Sequence, residues 1–564
     1  MRFQNWVVGG FDRNTAVDFC RHGVNPLVSV FLASRGKKHI EQVQEILSDI
    51  GSEIFDPFLM AGMDKAVGCI RSAVRNGERI AVYGDYDVDG MTSSVLLARW
   101  LRMQEADFEI YIPGRFGEGY GLNKAAIDAL NSRGARLIIT VDCGITAIEE
   151  VQYARQLGIR MIVTDHHECR ERLPDADAVL DPKRSDCGYP NKALAGVGVA
   201  FKLVCALDNG TPLDEMFRIY GDLVAVGTIA DVMPVVGENR ELIRRGLFVL
   251  NEAPQPGMLS LLKEVSVEPG KVTATTVGFT VAPRLNAAGR MGQPELSLDL
   301  LLAQSGEEAE FFAAELCRLN SERRTLESEI FEEAALMLEE APPEGPVILA
   351  RRGWYQGVTG IVAAKLADRH RIPTIIISID DSGMGRGSCR SFGSFAIFDA
   401  LRSCEDILDN YGGHEMAAGL SIAEENIEEL RRRLSAFYSD NIGTIPSPEL
   451  RLDFEVEKPE LLTVQNIQAL ERLEPFGNGN PSPSLCMRGA EVSAAQPIGA
   501  GKHMRLRLEK SGKSLDCIFF SMSSEDLGVG VGAVVDAAFE PQINEFRGRS
   551  SVQLHLIDIR PSLS

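Results

Sequence analysis

The sequence lacks the marks of a membrane protein, of a secreted disulfide scaffold and of a zinc ribbon. No apolar run approaches the roughly 20 residues that a membrane-spanning helix requires. The opening residues Met1, Arg2, Phe3, Gln4, Asn5 and Trp6 have neither a basic start nor a long apolar core, so no signal peptide is expected there. The eleven cysteines are scattered, odd in number and contain no C-x-x-C pair. That suits reduced thiols in the cytoplasm better than structural bridges or a thiolate zinc site. Basic charge is also scarce: 58 Lys and Arg stand against 80 Asp and Glu, a formal charge of −22. Such a balance argues against a general polyanion binder, so any nucleic acid must meet local basic patches or cations that mask the carboxylates.

What remains is a globular composition. The 564 residues are 45% hydrophobic, with a mean hydropathy of −0.03, enough material for about three or four domains. One stretch organises the rest: Ala81-Val82-Tyr83-Gly84-Asp85-Tyr86-Asp87-Val88-Asp89-Gly90-Met91-Thr92-Ser93-Ser94. An apolar run ends in three alternating aspartates, a glycine and small hydroxyl residues that open a helical pattern. In an extended segment residues two apart point the same way, so Asp85, Asp87 and Asp89 are expected to face one spot. Carboxylates crowd together only where a cation or a set of donors holds them. An EF-hand loop starts similarly, but the Glu it needs at its twelfth position is Leu96 here, and a strand-like run precedes the motif. Helix capping needs only one of the three.

From about residue 65 to 245, short β-rich runs alternate with helical patterns: 79–83, 108–112, 137–141, 160–163 and 178–180. Apolar strands in such alternation predict a mostly parallel sheet with helices on both faces, whose ligands sit at the carboxyl ends of the strands. The residues found there are chemically consistent. The first strand delivers Asp85, Asp87 and Asp89, the third Asp142 and the fourth Asp165-His166-His167. The run 223–230, strand or helix, ends in Asp231. Two of only eight histidines fall together at one strand end. Carboxylates with one or two imidazoles and no thiolate favour Mn²⁺ or Mg²⁺, the imidazole tilting towards Mn²⁺. Two such ions about 3.5–4 Å apart are the usual apparatus for hydrolysing phosphate esters. Adjacent histidines in an extended strand end point to opposite sides, so His166 is expected to ligate while His167 faces the phosphate or a supporting partner.

These segments resemble the four motifs of the DHH phosphoesterase superfamily. Within it, the chain resembles the RecJ branch of single-strand-specific 5′→3′ DNA exonucleases along essentially its whole length. Further matches are Pro113-Gly114-Arg115-Phe116-Gly117-Glu118-Gly119-Tyr120-Gly121, Pro283-Arg284-Leu285-Asn286-Ala287-Ala288-Gly289-Arg290, Trp354-Tyr355-Gln356-Gly357-Val358-Thr359-Gly360-Ile361, Gly412-Gly413-His414 and Pro475-Phe476-Gly477-Asn478-Gly479-Asn480-Pro481. The resemblance implies that Asp87, Asp89, Asp142, His166 and Asp231 ligate metal, with Asp142 bridging two divalent cations, and that His167 contacts the scissile phosphate. Other branches place a ligand His where this chain has Tyr83, which leaves water or Asp85 to complete that coordination.

Residues 307–340 contain neither Gly nor Pro, and Phe312, Leu316, Leu319, Leu326, Ile330 and Met337 follow four-three spacing. This predicts one helix of about 50 Å that joins two lobes, with Arg318, Arg323 and Arg324 either lining a cleft or forming a solvated face. Residues 345–440 return to an α/β pattern and resemble a DHHA1 substrate domain. Gly383-Met384-Gly385-Arg386-Gly387-Ser388-Cys389-Arg390-Ser391 is glycine-rich and basic, and its freed backbone N–H groups are expected to cradle a phosphate. By the resemblance, Ser388 and Arg390, with Arg115 from the first lobe, hold a 5′-terminal phosphate. His414 reaches the transferring phosphate, Tyr120 stacks on a nucleotide, and Arg284 joins the substrate-binding set. Residues 441–448 read as a linker. Beyond them, strict alternation in 504–509 predicts a small β-barrel, and the resemblance makes it an OB-fold. Arg505 and Arg507 on one face, near Phe546, Arg547 and Arg549, suit a single-strand track.

The expected architecture is therefore α/β: an N-terminal segment and DHH catalytic domain over 1–300, a connecting helix over 301–344, a DHHA1 domain over 345–440 and an OB-like barrel over 449–564. The expected activity is metal-dependent degradation of single-stranded DNA from its 5′ end to 5′-mononucleotides, in repair and recombination. Mn²⁺ is the preferred ion and Mg²⁺ an alternative, the chain is a cytoplasmic monomer, and a single-strand-binding protein or a helicase is the expected partner. Rival readings are a related phosphodiesterase acting on oligoribonucleotides or cyclic dinucleotides, and a non-catalytic replication scaffold of the same architecture.

Overall fold

The apolar strands form as their patterning predicts, and their order sets where a ligand can sit. In the computed structural model, residues 3, 5–48, 53–114, 121–341, 343, 345–441 and 449–562 are described. Arg115, Tyr120 and most of the expected linker lie outside them. The chain divides into two units, one holding 1–54, 234–244 and 447–564, the other 55–233 and 245–446.

The larger unit carries two sheets. Strands β2 (Ile80–Tyr83), β3 (Phe108–Tyr111), β4 (Leu137–Val141), β5 (Arg160–Thr164) and β6 (Ala178–Leu180) pair in the order β3-β2-β4-β5-β6, every neighbour parallel. β2 and β4 are buried along their whole length, as strands covered by helices on both faces must be. Between β2 and β4 the strand order reverses, which opens a crevice at their carboxyl ends. The second sheet runs β10 (Asn410–His414), β11 (Ala417–Ala423), β9 (Met384–Arg390), β8 (Thr374–Ile379), β7 (Val347–Arg352).

The helix Gly306–Glu340, 35 residues long, spans about 52 Å and serves both lobes. Its Ile330, Ala334 and Leu338 pack with Val347, Trp354, Val358 and Leu366. Its earlier turns bury Ala309, Ala313, Leu316 and Leu319. The buried stripe also contains Asn320 and Glu327, which hydrophobic spacing cannot reveal. Of the three arginines left open above, Arg318 is exposed and pairs with Glu315 and Glu322. Arg323 is enclosed, bonded to Glu327 at 2.6 Å and to Asn320 at 3.1 Å.

In the smaller unit β14 (Leu485–Ile498), β15 (His503–Lys510), β16 (Lys513–Phe519), β18 (Arg549–Pro561) and β17 (Val534–Phe546) pair in that order, and β14 also pairs with β17. That closes a five-stranded barrel. Its core includes Phe19, Leu27, Phe31 and Val43 beside Leu485, Leu506 and Phe539. Side chains between Phe11 and Leu47 therefore share the barrel's core, although the expected boundaries place this N-terminal segment with the catalytic domain. The short basic turn at Arg35 turns inward: its guanidinium bonds Asp453 at 2.9 Å and stands over the Phe31 ring at 4.0 Å. Among the described residues, no helix is long and apolar enough to cross a membrane.

In the larger unit, Gly246 and the helix Leu213–Ala230 approach unusually closely. A Cβ on Gly246 would lie 2.2 Å from Gly221 O and 2.5 Å from the Ala225 methyl. Gly246→Ala should therefore force the helices Leu213–Ala230 and Gly237–Glu252 apart, with a loss of about 1–3 kcal/mol read as a lowered melting temperature. An unchanged melting curve would contradict that close approach.

Candidate metal centre

The crevice between β2 and β4 gathers four segments distant in sequence. β2 ends at Tyr83, and the acidic motif is not an extended run: Asp87 is the N-cap of the helix Val88–Met103, its side chain accepting from the N–H groups of Asp89 (2.9 Å) and Gly90 (3.1 Å). The three aspartates therefore do not share one spot. Asp85 and Asp87 group with Asp142, whereas Asp89 groups with His166 and Asp231, and a third group joins Asp142, His166 and His167; in each, the ligand atoms lie within 4.8 Å of one another. Asp142 and His166 thus belong to more than one group, which is the arrangement a pair of neighbouring cations needs.

His166 Nε2 stands 3.1 Å from Asp142 Oδ1, 3.5 Å from Asp231 Oδ2 and 3.7 Å from Asp89 Oδ2. Among the described residues, Asp142 Oδ1 and Asp231 Oδ2 are buried without a hydrogen-bond partner. Burial first, then the charges of Asp231 and Asp87, hold Asp89 well above the usual carboxylate range. Burial, then the charges of Asp89, Asp87 and Asp85, do the same to Asp142. Burial and Asp87 raise Asp231 to about 7. Burial, helped by the neighbouring His167, lowers His166 to about 4, so its imidazole is neutral near pH 7 and able to donate a lone pair. Buried acids with orphaned oxygens around a neutral imidazole fit hard divalent cations.

Backbone features hold this set in place. Asp142 sits at φ +59, a left-handed conformation costly for a non-glycine residue and concentrated at functional sites. A Cβ on Gly196 would lie 2.7 Å from that of Asp142, so only glycine fits there. The N–H groups of Gly196 and Val197, at the start of the helix Gly196–Leu207, donate to Asp89 at 2.6 and 2.8 Å. This anchor was not among the expected site residues; its signal is the glycine pair in Ala195-Gly196-Val197-Gly198. Asp231 is the C-cap of the helix Leu213–Ala230, so the fourth segment is a helix end rather than a strand end.

The two histidines do not point to opposite sides. Their rings are 4.5 Å apart because the chain leaves the strand at Thr164 and Asp165 gathers it into a turn. Asp165 accepts from Ile145 N (2.8 Å), His166 N (2.7 Å), His167 N (3.2 Å) and His167 Nδ1 (2.7 Å). Burial would lower His167, yet the bond and charge of Asp165, with Asp231 and Asp89, raise it to about 9. It is therefore a cation near neutral pH. Tyr83 takes no part: it is buried, stacks on Tyr111 at 5.3 Å and donates to Gly121 O at 2.9 Å. Asp85 groups with Asp87 and Asp142.

The expected backbone cradle at 383–391 is overturned. Residues 384–390 form β9, paired with β8 on one side and β11 on the other, so its N–H groups serve the sheet. Gly385 and Gly387 are there because a Cβ on either would come within 2.8 Å of Ile377 or Leu420. The side chains still converge: Ser388 Oγ is 2.9 Å from Thr359 Oγ1, and Arg390 Nη2 would stand 3.1 Å from a Cβ on Gly360. His414 ends the edge strand β10, exposed, and belongs to none of the three groups. Arg284 bonds Thr280 O at 2.6 Å. Arg505 and Arg507 share the outward face of β15, but Asp516 offsets them, 3.1 Å from Arg507 and 3.9 Å from Arg505.

Comparison with known proteins accords with this geometry. The chain matches the models for the DHH family N-terminal domain over residues 79–228, the DHHA1 domain over 344–440 and the RecJ OB domain over 452–558. It is 40% identical over 542 residues to the single-stranded-DNA-specific exonuclease RecJ of Bacillus subtilis (strain 168), covering 95% of this chain and 68% of that one. The crystal structure of RecJ from Thermus thermophilus in complex with Mn²⁺ superposes with a TM-score of 0.83 at 30% identity, covering 99% of this chain and 80% of that one. The corresponding Mg²⁺ complex gives 0.78 at 29% identity, with 99% and 78% covered.

Two measurements test the centre. Asp142→Asn keeps the shape and removes a repelling charge. Without metal it should melt no lower than the wild type, while the stabilisation on adding Mn²⁺ disappears; a retained Mn²⁺ shift would refute the assignment. The second concerns pH. A carboxyl raised in the fold binds protons the unfolded chain has released, so between 3.8 and about 7 for Asp231 the metal-free protein loses stability as pH rises. Cation binding must displace those protons, so Mn²⁺ affinity measured calorimetrically should fall as pH drops from about 8 to about 6. A flat profile would oppose it.

Proposed function

The chain belongs to the RecJ family of single-stranded-DNA-specific exonucleases, and we propose that it removes 5′-mononucleotides from the 5′ end of single-stranded DNA, with Asp85, Asp87, Asp89, Asp142, His166 and Asp231 holding two divalent cations, Mn²⁺ in preference to Mg²⁺. The observation that carries this reading is the sharing of Asp142 and His166 among the acid and imidazole groups at the crevice where the strand order reverses. When bound, the cations supply Lewis acidity, neutralising phosphoryl charge and lowering the pKa of an attacking water.

The protein's own residues do the rest. Asp89 keeps its place through the N–H groups of Gly196 and Val197, so the acids need not rearrange when a phosphate arrives. His167, held cationic by Asp165, faces the transferring phosphate as a donor to its oxygens. Ser388, Thr359 and Arg390, with Arg115, recognise the 5′-terminal phosphate through side chains; Tyr120 stacks on the following base, and Arg284 and His414 complete the substrate contacts. Polarity then follows from end recognition: the terminal phosphate stops the strand so that the first linkage meets the acids. Arg505 and Arg507 offer the strand a charged track on the barrel. The eleven cysteines form no disulfide, in keeping with a cytoplasmic location.

The decisive assay uses Mn²⁺ and single strands labelled at either end, beside a blunt duplex. Mononucleotide should appear at once from the 5′ label and last from the 3′ label, with the duplex spared. Early release of the 3′ label would overturn the polarity. Arg390→Ala should lower the preference for 5′-phosphorylated over 5′-hydroxyl ends by about tenfold, the worth of one charge-assisted hydrogen bond; unchanged discrimination would remove Arg390 from the end-binding set.

A further inference from the structure

One aromatic side chain of the larger unit has no place in the chemistry above. Phe279, the most exposed large apolar side chain among the described residues, leaves 81% of its surface open. It stands on a π-helical turn, Val277–Val281, that runs directly into the helix Ala282–Arg290. Turns of this kind are rare and frequent at functional sites. The turn itself is anchored, because Val277 and Val281 on either side of the ring are buried. Only the phenyl group is turned outward, and in water it forgoes the gain that burial of so large an apolar surface brings.

The run 277–290 touches the metal centre at both ends. A Cβ on Gly278 would lie 3.6 Å from Ile229 Cγ2, two residues before Asp231. Gly289 packs so closely on Tyr86 O, between Asp85 and Asp87, that no Cβ fits there. One residue further round, Phe279, Pro283, Asn286 and Arg290 recur at four-three-four spacing and share a face; Phe279 is exposed and the others are half-buried. Arg290 O in turn leaves no room for a Cβ on Gly357. That glycine lies on the helix Gln356–His370, which also carries Thr359 and Gly360 beside Ser388 and Arg390. The face thus runs past the acids from the end-binding side chains at Arg290 to the open ring at Phe279, about 16 Å away.

We infer that Phe279 is a specificity-determining residue that stacks on a nucleobase of the substrate strand, on the 3′ side of the scissile linkage. The inference rests on the proposed function, since the 5′ end held at Ser388 and Arg390 fixes which side of the linkage reaches Phe279. An open aromatic ring on the same face as Arg290, and one turn from Arg284, offers a π-surface to a base and cations to phosphates. Single-strand binders use that combination, and it tolerates any sequence because every base has a π-face. In a duplex each base face is covered by its stacked neighbour, so the ring favours single strands by the chemistry of stacking as well as by the width of the substrate.

The test uses the full chain and 5′-phosphorylated single strands. Phe279→Ala should raise KM by about 5- to 100-fold, the worth of one base–aromatic stack, with kcat kept, and Phe279→Tyr should restore the wild-type value. The penalty should disappear on a strand of equal length that is abasic beyond its first two nucleotides. A KM in Phe279→Ala within about twofold of wild type, or a penalty that the abasic strand retains, would overturn the inference. A second readout is spectroscopic. Trp6, Trp100 and Trp354 are all buried, so the indole of Phe279→Trp reports from the open position. With a chelator preventing cleavage, its emission should be quenched once a dye on the strand's 3′ end shows saturated binding by anisotropy. Unchanged emission at saturation would refute the stack and leave a protein partner as the occupant of the ring. The two levels separate: early release of a 3′ label by the wild type would overturn the polarity, whereas 5′ polarity without quenching would remove Phe279 alone.

Discussion

Mutual repulsion among buried carboxylates is the constraint around which this protein is arranged. Asp89 and Asp142 are almost wholly enclosed, and the charge of Asp89 raises the proton affinity of Asp142. A fold tolerates that only if something else holds the acids in register. Here the holders are backbone groups: two N–H donors at a helix start for Asp89, and a left-handed residue packed on a glycine for Asp142. None can titrate, so the site keeps its shape as protons or cations come and go.

The same logic separates two kinds of aspartate that look alike in sequence. Asp165 is as buried as Asp142 but is saturated by N–H donors and a histidine, and it stays below the usual carboxylate range despite its burial. It organises the turn that carries both histidines and belongs to none of the three candidate groups. Asp142 and Asp231, each with an orphaned oxygen, are left with affinity to spare for a cation. Hydrogen-bond satisfaction, rather than burial, tells the two roles apart.

The second lobe shows a comparable economy in its backbone. Its glycine-rich strand resembles an anion-binding loop by composition, yet its backbone is committed to neighbours on both sides. The glycines serve packing against Ile377 and Leu420, and the alternating side chains Ser388 and Arg390 converge on Thr359 and Gly360. On the barrel, too, Asp516 beside Arg505 and Arg507 tempers what the spacing of the arginines suggests.

Much of this was legible without coordinates. Apolar strands punctuated by Asp and His at their carboxyl ends marked the parallel sheet and the acids that gather beside it, and the run 307–340 without Gly or Pro marked the long helix, because strand ends and helix periods are local properties of the chain. What the sequence could not decide was how those acids divide. The tertiary structure placed Asp85 and Asp87 with Asp142, and Asp89 with His166 and Asp231, because a helix begins at Asp87 and breaks the alternation that extended backbone would impose. It also turned His167 to the same side as His166, drew side chains between Phe11 and Leu47 into the barrel's core and made a sheet strand of the apparent cradle. Each of these depends on partners far away along the chain, and the energies of burial and hydrogen bonding that select those partners leave no local pattern to read.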